Sequence, residues 1–172
     1  MKKYVYKFLF VATVFAFAVI VTMDEPLPQV NSVELNQQLI EVISKSNTDM
    51  EIIRLLLNEG ADPNSTNITG DTPLILAVGG NIDVLRLLLE YSANINAQNY
   101  VGFTALMYAV MSDNPNVVAL LLENGADRAI TTIGSGKTAL DFAQESTDAN
   151  SQRIIELLQN PPARKSFYQK LK

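Results

Sequence analysis

Residues 70–97 read GDTPLILAVGGNIDVLRLLLEYSANINA, and variations of this stretch occur on both sides of it. A Thr-x-Leu step occurs three times, at residues 72–74, 104–106 and 138–140. A leucine triplet also occurs three times, at residues 55–57, 87–89 and 120–122. Successive copies are 32 to 34 residues apart. This fixed spacing predicts a repeat protein in which each unit is one supersecondary element.

Polar residues at fixed positions divide each unit into two helices. Thr72 and Thr104 can cap the first helix of a unit, and Asn81 and Asn114 can cap the second. Pro73 suits the first position of a helix, where no backbone N–H is needed. The second helices are expected to end at residues that accept a left-handed backbone: Gly60, Ser92 and Gly125.

A period near ~33 residues that carries Thr-Pro-Leu-x-x-Ala resembles the ankyrin repeat, although the usual His after the Leu is replaced here by Ile75. The resemblance covers residues 33–160. It implies an all-α solenoid of about four stacked helix-turn-helix units with short β-hairpin-like fingers. The expected units are residues 33–65, 66–97, 98–130 and 131–160. Because their outer faces meet water, we interpret the first and last units as caps.

Composition excludes several kinds of chemistry. The chain has no Cys and no His, which rules out thiol nucleophiles, Cys/His zinc sites and imidazole bases. Residues 24–160 contain all 18 acidic residues but only six basic ones, a formal charge of −12. A body of this charge repels phosphate backbones, so we expect no nucleic-acid partner. A basic protein partner would be attracted to it.

Three local patterns suggest chemistry but have simpler interpretations. Residues 134–138 read Gly-Ser-Gly-Lys-Thr, yet Thr131 stands where a phosphate loop needs its first Gly. Asp141 near Glu145 is more often a solvated helix face than an acid–base pair. Asparagines near Asp71 more often stabilise turns than bind Ca²⁺. We therefore expect no catalytic residue, no cofactor and no metal, and the protein is predicted not to be an enzyme.

The two ends of the chain differ from the repeats. In residues 1–23, three lysines precede an uncharged run from Phe8 to Met23, which is the layout of a signal peptide. Ala16-Phe17-Ala18 offers a cleavage site after Ala18, which would place the repeats in the periplasm or outside the cell. An uncleaved inner-membrane anchor that faces the repeats outward is the alternative. Residues 24–32 are interpreted as a linker, and residues 161–172 as a basic tail.

The ankyrin resemblance also implies where a partner binds, because the family uses its fingers and first helices to hold other proteins on a concave surface. The matching positions predicted to bind a partner are Ile68, Thr69, Asp71, Tyr100, Val101, Phe103, Met111 and Ser112. The fourth unit adds Ile133, Ser135, Lys137, Gln144 and Glu145. Exposed aromatic residues in one place are typical of binding hot spots. Alternatively, Phe103 folds back onto Met107 or Met111 and closes the core.

We expect a monomeric, non-enzymatic protein-interaction module that acts outside the cytoplasmic membrane. Two roles fit this class: an inhibitor or immunity protein for an exported enzyme or toxin, and a stabiliser of an envelope enzyme. The alternative is a membrane-anchored scaffold at the envelope surface. In that case the N-terminal segment remains in the membrane and the basic tail contacts anionic lipid.

Overall fold

A computed structural model describes residues 31–45 and 49–164 of the chain. The chain divides into two compact units, Met1–Val30 and Asn31–Lys172, and the described residues all belong to the second. The predicted signal peptide or anchor, nearly all of the linker, and residues 165–172 of the tail lie outside the described residues. Among the helices of the described ranges, none is long and apolar enough to cross a bilayer.

The described residues form eight α-helices and no β-strand. They are α1 Ser32–Ser44, α2 Met50–Asn58, α3 Pro73–Leu76, α4 Ile82–Glu90, α5 Ala105–Met111, α6 Pro115–Glu123, α7 Ala139–Glu145 and α8 Ser151–Gln159. A 3₁₀ turn at Ala77–Gly79 continues α3. The helices pack as four successive pairs, and the first helices α1, α3, α5 and α7 contact one another in that order. The prediction of an all-α repeat solenoid is confirmed.

The predicted helix caps are present. Thr72 Oγ1 accepts a hydrogen bond from the backbone N–H of Ile75 at 3.4 Å, and Thr104 does the same for Met107. Asn81 accepts from Asp83 N at 2.9 Å at the start of α4. These side chains satisfy backbone donors that have no partner within the helix. The caps explain why each helix begins where the sequence indicates.

The ends of the second helices also follow the sequence. Gly60 and Gly125 have positive φ values of 101° and 92°. Ser92 adopts the same left-handed region with φ 64°. The next backbone N–H, on Ala93, bonds back to Leu88 O at 3.0 Å and closes the helix end. A serine therefore serves as the helix stop that glycine provides in the neighbouring units.

One apolar core runs through the four helix pairs. Leu39, Ile53, Leu88 and Leu121 have no exposed surface, and Ile154 in the last unit is only 1% exposed. The three leucine triplets are not buried equally. All of residues 120–122 are buried, whereas Leu55 in the first unit is 40% exposed. The leucine triplet of the first unit is thus partly exposed, and the role of this unit as a cap stays a prediction.

Replacing Leu88 or Leu121 by Ala should lower the free energy of unfolding by about 2–5 kcal/mol, because each substitution leaves a cavity between units. Chemical denaturation of the full chain measures this change. Ile68→Ala is the control, since Ile68 is 96% exposed. Equal unfolding midpoints for the leucine variants and the parent would show that these leucines do not hold the stack together.

Candidate protein-binding surface

Three short loops precede the first helices of the second, third and fourth units. We call them finger 1 (residues 67–71), finger 2 (residues 99–103) and finger 3 (residues 132–137). A backbone hydrogen bond closes each loop, from Asn67 N to Asp71 O at 3.1 Å in finger 1 and from Asn99 N to Phe103 O at 3.0 Å in finger 2. Thr132 N bonds to Lys137 O at 2.9 Å in finger 3. The fingers are hairpin-like turns.

Side chains of the first residues tie fingers 1 and 2 from within. Asn67 Oδ1 accepts hydrogen bonds from Thr69 N at 2.9 Å and from Asp71 N at 2.8 Å. Asn99 Oδ1 accepts from Phe103 N at 2.9 Å in the same way. Such bonds fix a loop without any regular strand. Fingers 1 and 2 are therefore each held in shape by their own asparagine.

Hydrogen bonds between neighbouring fingers align their tips. Tyr100 N donates to Thr69 O at 3.2 Å, and Ile133 N donates to Val101 O at 3.0 Å. Asn99 Nδ2 also donates to Asp71 Oδ1 at 2.7 Å, which joins fingers 1 and 2 through their side chains. The three tips are thus held next to one another.

Glycine is required where these tips approach each other. Gly70 and Gly102 have φ values of +80° and +84°. A Cβ atom on Gly102 would lie 2.4 Å from Ile133 N, and one on Gly70 would lie 2.6 Å from Cδ1 of Tyr100. Both separations are too short for real atoms. These two glycines therefore permit both the turn and the close contact with the next finger.

The aligned tips present apolar side chains to solvent. The exposed fraction is 96% for Ile68, 69% for Tyr100, 54% for Val101 and 69% for Ile133. We call these four residues the apolar tip row. Tyr100 is the second residue of finger 2, and Ile133 is the second residue of finger 3. This equivalence of position is the sequence signal that extends the row into the fourth unit. Contiguous exposed apolar groups of this kind mark interaction sites.

Phe103 differs from the tip residues because it is half-buried. Its ring centroid lies 5.4 Å from that of Tyr108 and 5.4 Å from that of Phe142. The ring therefore joins the third and fourth units, and its aromatic neighbours are these two residues. Met107 is buried and Met111 is 53% exposed. Phe103 contributes to packing, and a part in partner binding stays a prediction for it.

The remaining predicted binding residues divide between two places. Thr69 lies beside the tip row, and its hydroxyl is 2.6 Å from Asp71 Oδ2. The Asp71 carboxylate is half-buried and joins the two fingers as described above. Met111 and Ser112 are exposed at the far end of α5, one seven-residue helix from finger 2. That length corresponds to about 10 Å.

A family model for ankyrin repeats (three copies) matches residues 39–132 and residues 102–166, which together cover most of the chain. The chain belongs to the ankyrin-repeat family. No curated protein matches it. Ankyrin repeats are protein-interaction modules, so this ankyrin-repeat chain has the architecture of a protein that binds other proteins.

Residues that suggested chemistry have structural partners in this ankyrin-repeat protein. Asp141 forms a capping box with Thr138 at the start of α7, and its Oδ2 accepts from Thr138 N at 2.7 Å. Hydrogen bonds from the Thr138 side chain and backbone hold the pKa of the Asp141 carboxyl below its ordinary value. Lys137 Nζ lies 2.6 Å from Glu145 Oε2 and 5.6 Å from the Phe142 ring centroid.

The asparagines near finger 2 are likewise engaged in hydrogen bonds. Asn94 Oδ1 accepts from Asn96 N at 3.1 Å, and Asn96 Oδ1 accepts from Asp127 N at 2.8 Å. The second bond joins the loop before finger 2 to the loop before finger 3. Within residues 31–45 and 49–164, no group of three or more acidic side chains is arranged to hold a metal ion.

Gly102→Ala should destabilise the protein more than Gly134→Ala. The two glycines have almost the same φ, +84° and +86°, so the backbone strain of alanine is matched at about 1–2 kcal/mol. A Cβ on Gly134 would meet nothing within 4 Å, whereas one on Gly102 would collide with finger 3. Urea unfolding of both variants measures the difference. Equal losses of stability would show that the fingers do not approach each other as described.

Proposed function

We propose that this ankyrin-repeat protein binds a partner protein through the apolar tip row and the adjoining first-helix residues, and that it acts outside the cytoplasmic membrane. The observation that carries this proposal is the exposure of four large apolar side chains on tips that backbone hydrogen bonds hold in line. Glycines at the close approaches between fingers, and asparagine side chains within fingers 1 and 2, hold these apolar tips in a fixed arrangement.

The fixed tips reduce the cost of binding. Binding to flexible loops costs the conformational entropy that is lost when the loops become ordered, whereas fingers that are already aligned lose little of it. Tyr100 and Val101 lie at the centre of the row, with Ile68 on one side and Ile133 on the other. Central apolar residues surrounded by other contacts are where water is excluded and binding energy concentrates. Tyr100 and Val101 are therefore the proposed anchors.

The charge of the protein adds long-range attraction to this local contact. With a formal charge of −12 over residues 24–160, the domain favours a basic partner. Attraction of this kind mainly raises the association rate and weakens as salt rises. The apolar anchors mainly set the dissociation rate. The two contributions can be separated by measuring both rate constants over a range of salt concentrations.

The proposed place of action rests on residues 1–23. A basic start, an apolar run and Ala16-Phe17-Ala18 are the features of a signal peptide cleaved after Ala18. A compact exported binder of this kind suits a dedicated inhibitor or immunity protein for an exported enzyme or toxin, or a stabiliser of an envelope enzyme. The sequence has no Cys and no His, so neither residue can act as a catalytic group.

A membrane-anchored scaffold is the second candidate, favoured by the three lysines and the tyrosines that adjoin the apolar run. They could hold the segment in a bilayer in spite of its short length. The mass of the mature protein separates the two candidates. A mature chain that begins at Val19 supports export and contradicts the anchor, whereas a chain that retains residues 1–18 supports the anchor.

Capture from an envelope extract, with the full chain as bait, provides the partner for a quantitative test. Tyr100→Ala should then weaken binding by about tenfold to a hundredfold through faster dissociation, since an anchor of this type contributes about 2 kcal/mol. Val101→Ser should act in the same direction. Surface plasmon resonance measures both rate constants, and far-ultraviolet circular dichroism checks that the variants are folded.

Val33→Ser is the matched control, because Val33 is 56% exposed and Val101 is 54% exposed, but Val33 lies on α1. It should leave the dissociation rate unchanged. If Val33→Ser weakens binding as much as Val101→Ser, or if neither tip variant does so, then the partner does not dock on the apolar tip row.

A further inference from the structure

The chain after α8 repeats the spacing that separates every other second helix from the finger that follows it. Finger 1 begins nine residues after Asn58, the last residue of α2, and fingers 2 and 3 begin nine residues after the ends of α4 and α6. Because α8 ends at Gln159, the same spacing leads to Tyr168. Residues 168–172 therefore correspond in sequence position to a further finger.

The start of this segment packs on the preceding loop. Arg164 lies against the loop after α6, since a Cβ atom on Gly125 would lie 3.3 Å from Cζ and 3.4 Å from Nε of Arg164. Arg128 of that loop donates in turn from Nη1 to Gln159 O at the end of α8, at 3.1 Å. The loops after α2 and α4 contact each other in the same succession. The chain after α8 thus continues the row of stacked loops as far as Arg164.

Finger 3 has an open side in the part of the chain that the structure describes. The second residue of finger 2 donates its N–H to Thr69 O in finger 1, and the second residue of finger 3 donates to Val101 O in finger 2. In finger 3, which is one residue longer, Gly134 and Ser135 correspond to these acceptors. Neither carbonyl oxygen accepts a backbone hydrogen bond from a described residue. The row of bonds between fingers therefore stops at finger 3.

The glycine before the last residue of each finger shows the same difference. Gly70, Gly102 and Gly136 have φ values of +80°, +84° and +65°. A Cβ atom on Gly70 or Gly102 would collide with the next finger, at 2.6 Å and 2.4 Å respectively. On Gly136 it would meet nothing within 4 Å among residues 31–45 and 49–164. Finger 3 thus has the same receiving geometry, but no described residue lies against it.

We propose that residues 165–172 of this chain dock on the open side of finger 3, where the backbone N–H of Gln169 donates to the carbonyl oxygen of Gly134 or Ser135. Gln169 is the second residue of the segment 168–172, and the second residue is the one that donates in fingers 2 and 3. The segment therefore continues an interface that the fingers already form with one another.

The length and the residue types of the segment fit this contact. Gln169 follows Arg164 by five residues, just as Ile133 follows Arg128 by five. Since the loops that hold the two arginines are neighbours, the segment reaches finger 3 over the same length of chain by which finger 3 reaches finger 2. Leu171 replaces the glycine of the finger turn, so the segment pairs as an extended strand and not as a closed finger. Attachment at Arg164 raises its effective concentration, so few contacts suffice to hold it.

A docked segment protects an exposed backbone edge. Free N–H and C=O groups at such an edge can pair with another chain and cause association. The segment covers the edge of finger 3 and leaves the side chains of the apolar tip row accessible to a partner. The contact does not depend on the partner, so its test is separate from that of the proposed function.

Amide hydrogen exchange of the full chain, followed by nuclear magnetic resonance, tests the proposal first. The amide of Gln169 should exchange at least about tenfold more slowly than an unstructured amide, because it donates to finger 3. The amide of Lys170 points away from finger 3 in an extended strand and should exchange fast.

Two proline variants of the segment provide a matched pair. Gln169→Pro removes the proposed donor and should shift the amide resonances of Gly134 and Gly136 without moving that of Tyr100. Lys170→Pro removes an N–H that is not used, and proline keeps the residue before it extended. It should leave all three resonances near their parent positions.

Fast exchange at Gln169, or equal shifts at Gly134 and Gly136 for the two proline variants, would overturn the proposal. Resonances of Gly134 and Gly136 that move with protein concentration would also overturn it, because a second copy of the chain would then cover the open side of finger 3. Slow exchange at Gln169, shifts with Gln169→Pro alone and no dependence on concentration are the expected results.

Discussion

Burial of the leucine faces between neighbouring units is the interaction on which the rest of this structure depends. Each unit has one helix pair and cannot bury its own apolar face, so Leu88 and Leu121 become fully buried only against adjacent units. This requirement fixes the order in which the first helices stack. The fingers inherit that order, because each one leads directly into a first helix through a threonine cap.

Polar contacts then determine how accurately the units are aligned. Asn64 Oδ1 accepts from Asn94 N at 2.6 Å, and Asn96 Oδ1 accepts from Asp127 N at 2.8 Å, so equivalent loops are joined across two successive interfaces. The finger tips are joined in the same direction by backbone bonds. Hydrophobic burial has little directional preference, whereas hydrogen bonds require a defined geometry. Together they turn a row of loops into a surface that exists before any partner arrives.

The features that the sequence predicted well are those that depend on local chemistry. Thr72, Asn81 and Gly125 start or end helices through contacts within a few residues of their own positions. Their residue types therefore indicate helix starts and ends independently of how the units stack. The contact of Phe103 with Phe142 and that of Arg164 with Gly125 depend on distances between units, which no local pattern encodes. The repeat pattern does not identify the partner, because exposed residues can differ without any change in the repeat fold. The eight predicted binding residues remain a prediction for that reason.

Amide hydrogen exchange of the free protein tests most directly whether the finger tips form one preformed row. Tyr100 and Ile133 have exposed side chains, but their amides donate to the preceding finger, and in such a row they should exchange at least about a hundredfold more slowly than unstructured amides. Ile68 is the internal reference, because the first unit has no finger for its amide to bond to within the described residues. Slow exchange at Tyr100 and Ile133 with fast exchange at Ile68 is the expected result. Fast exchange at all three would contradict a surface that is aligned before the partner binds.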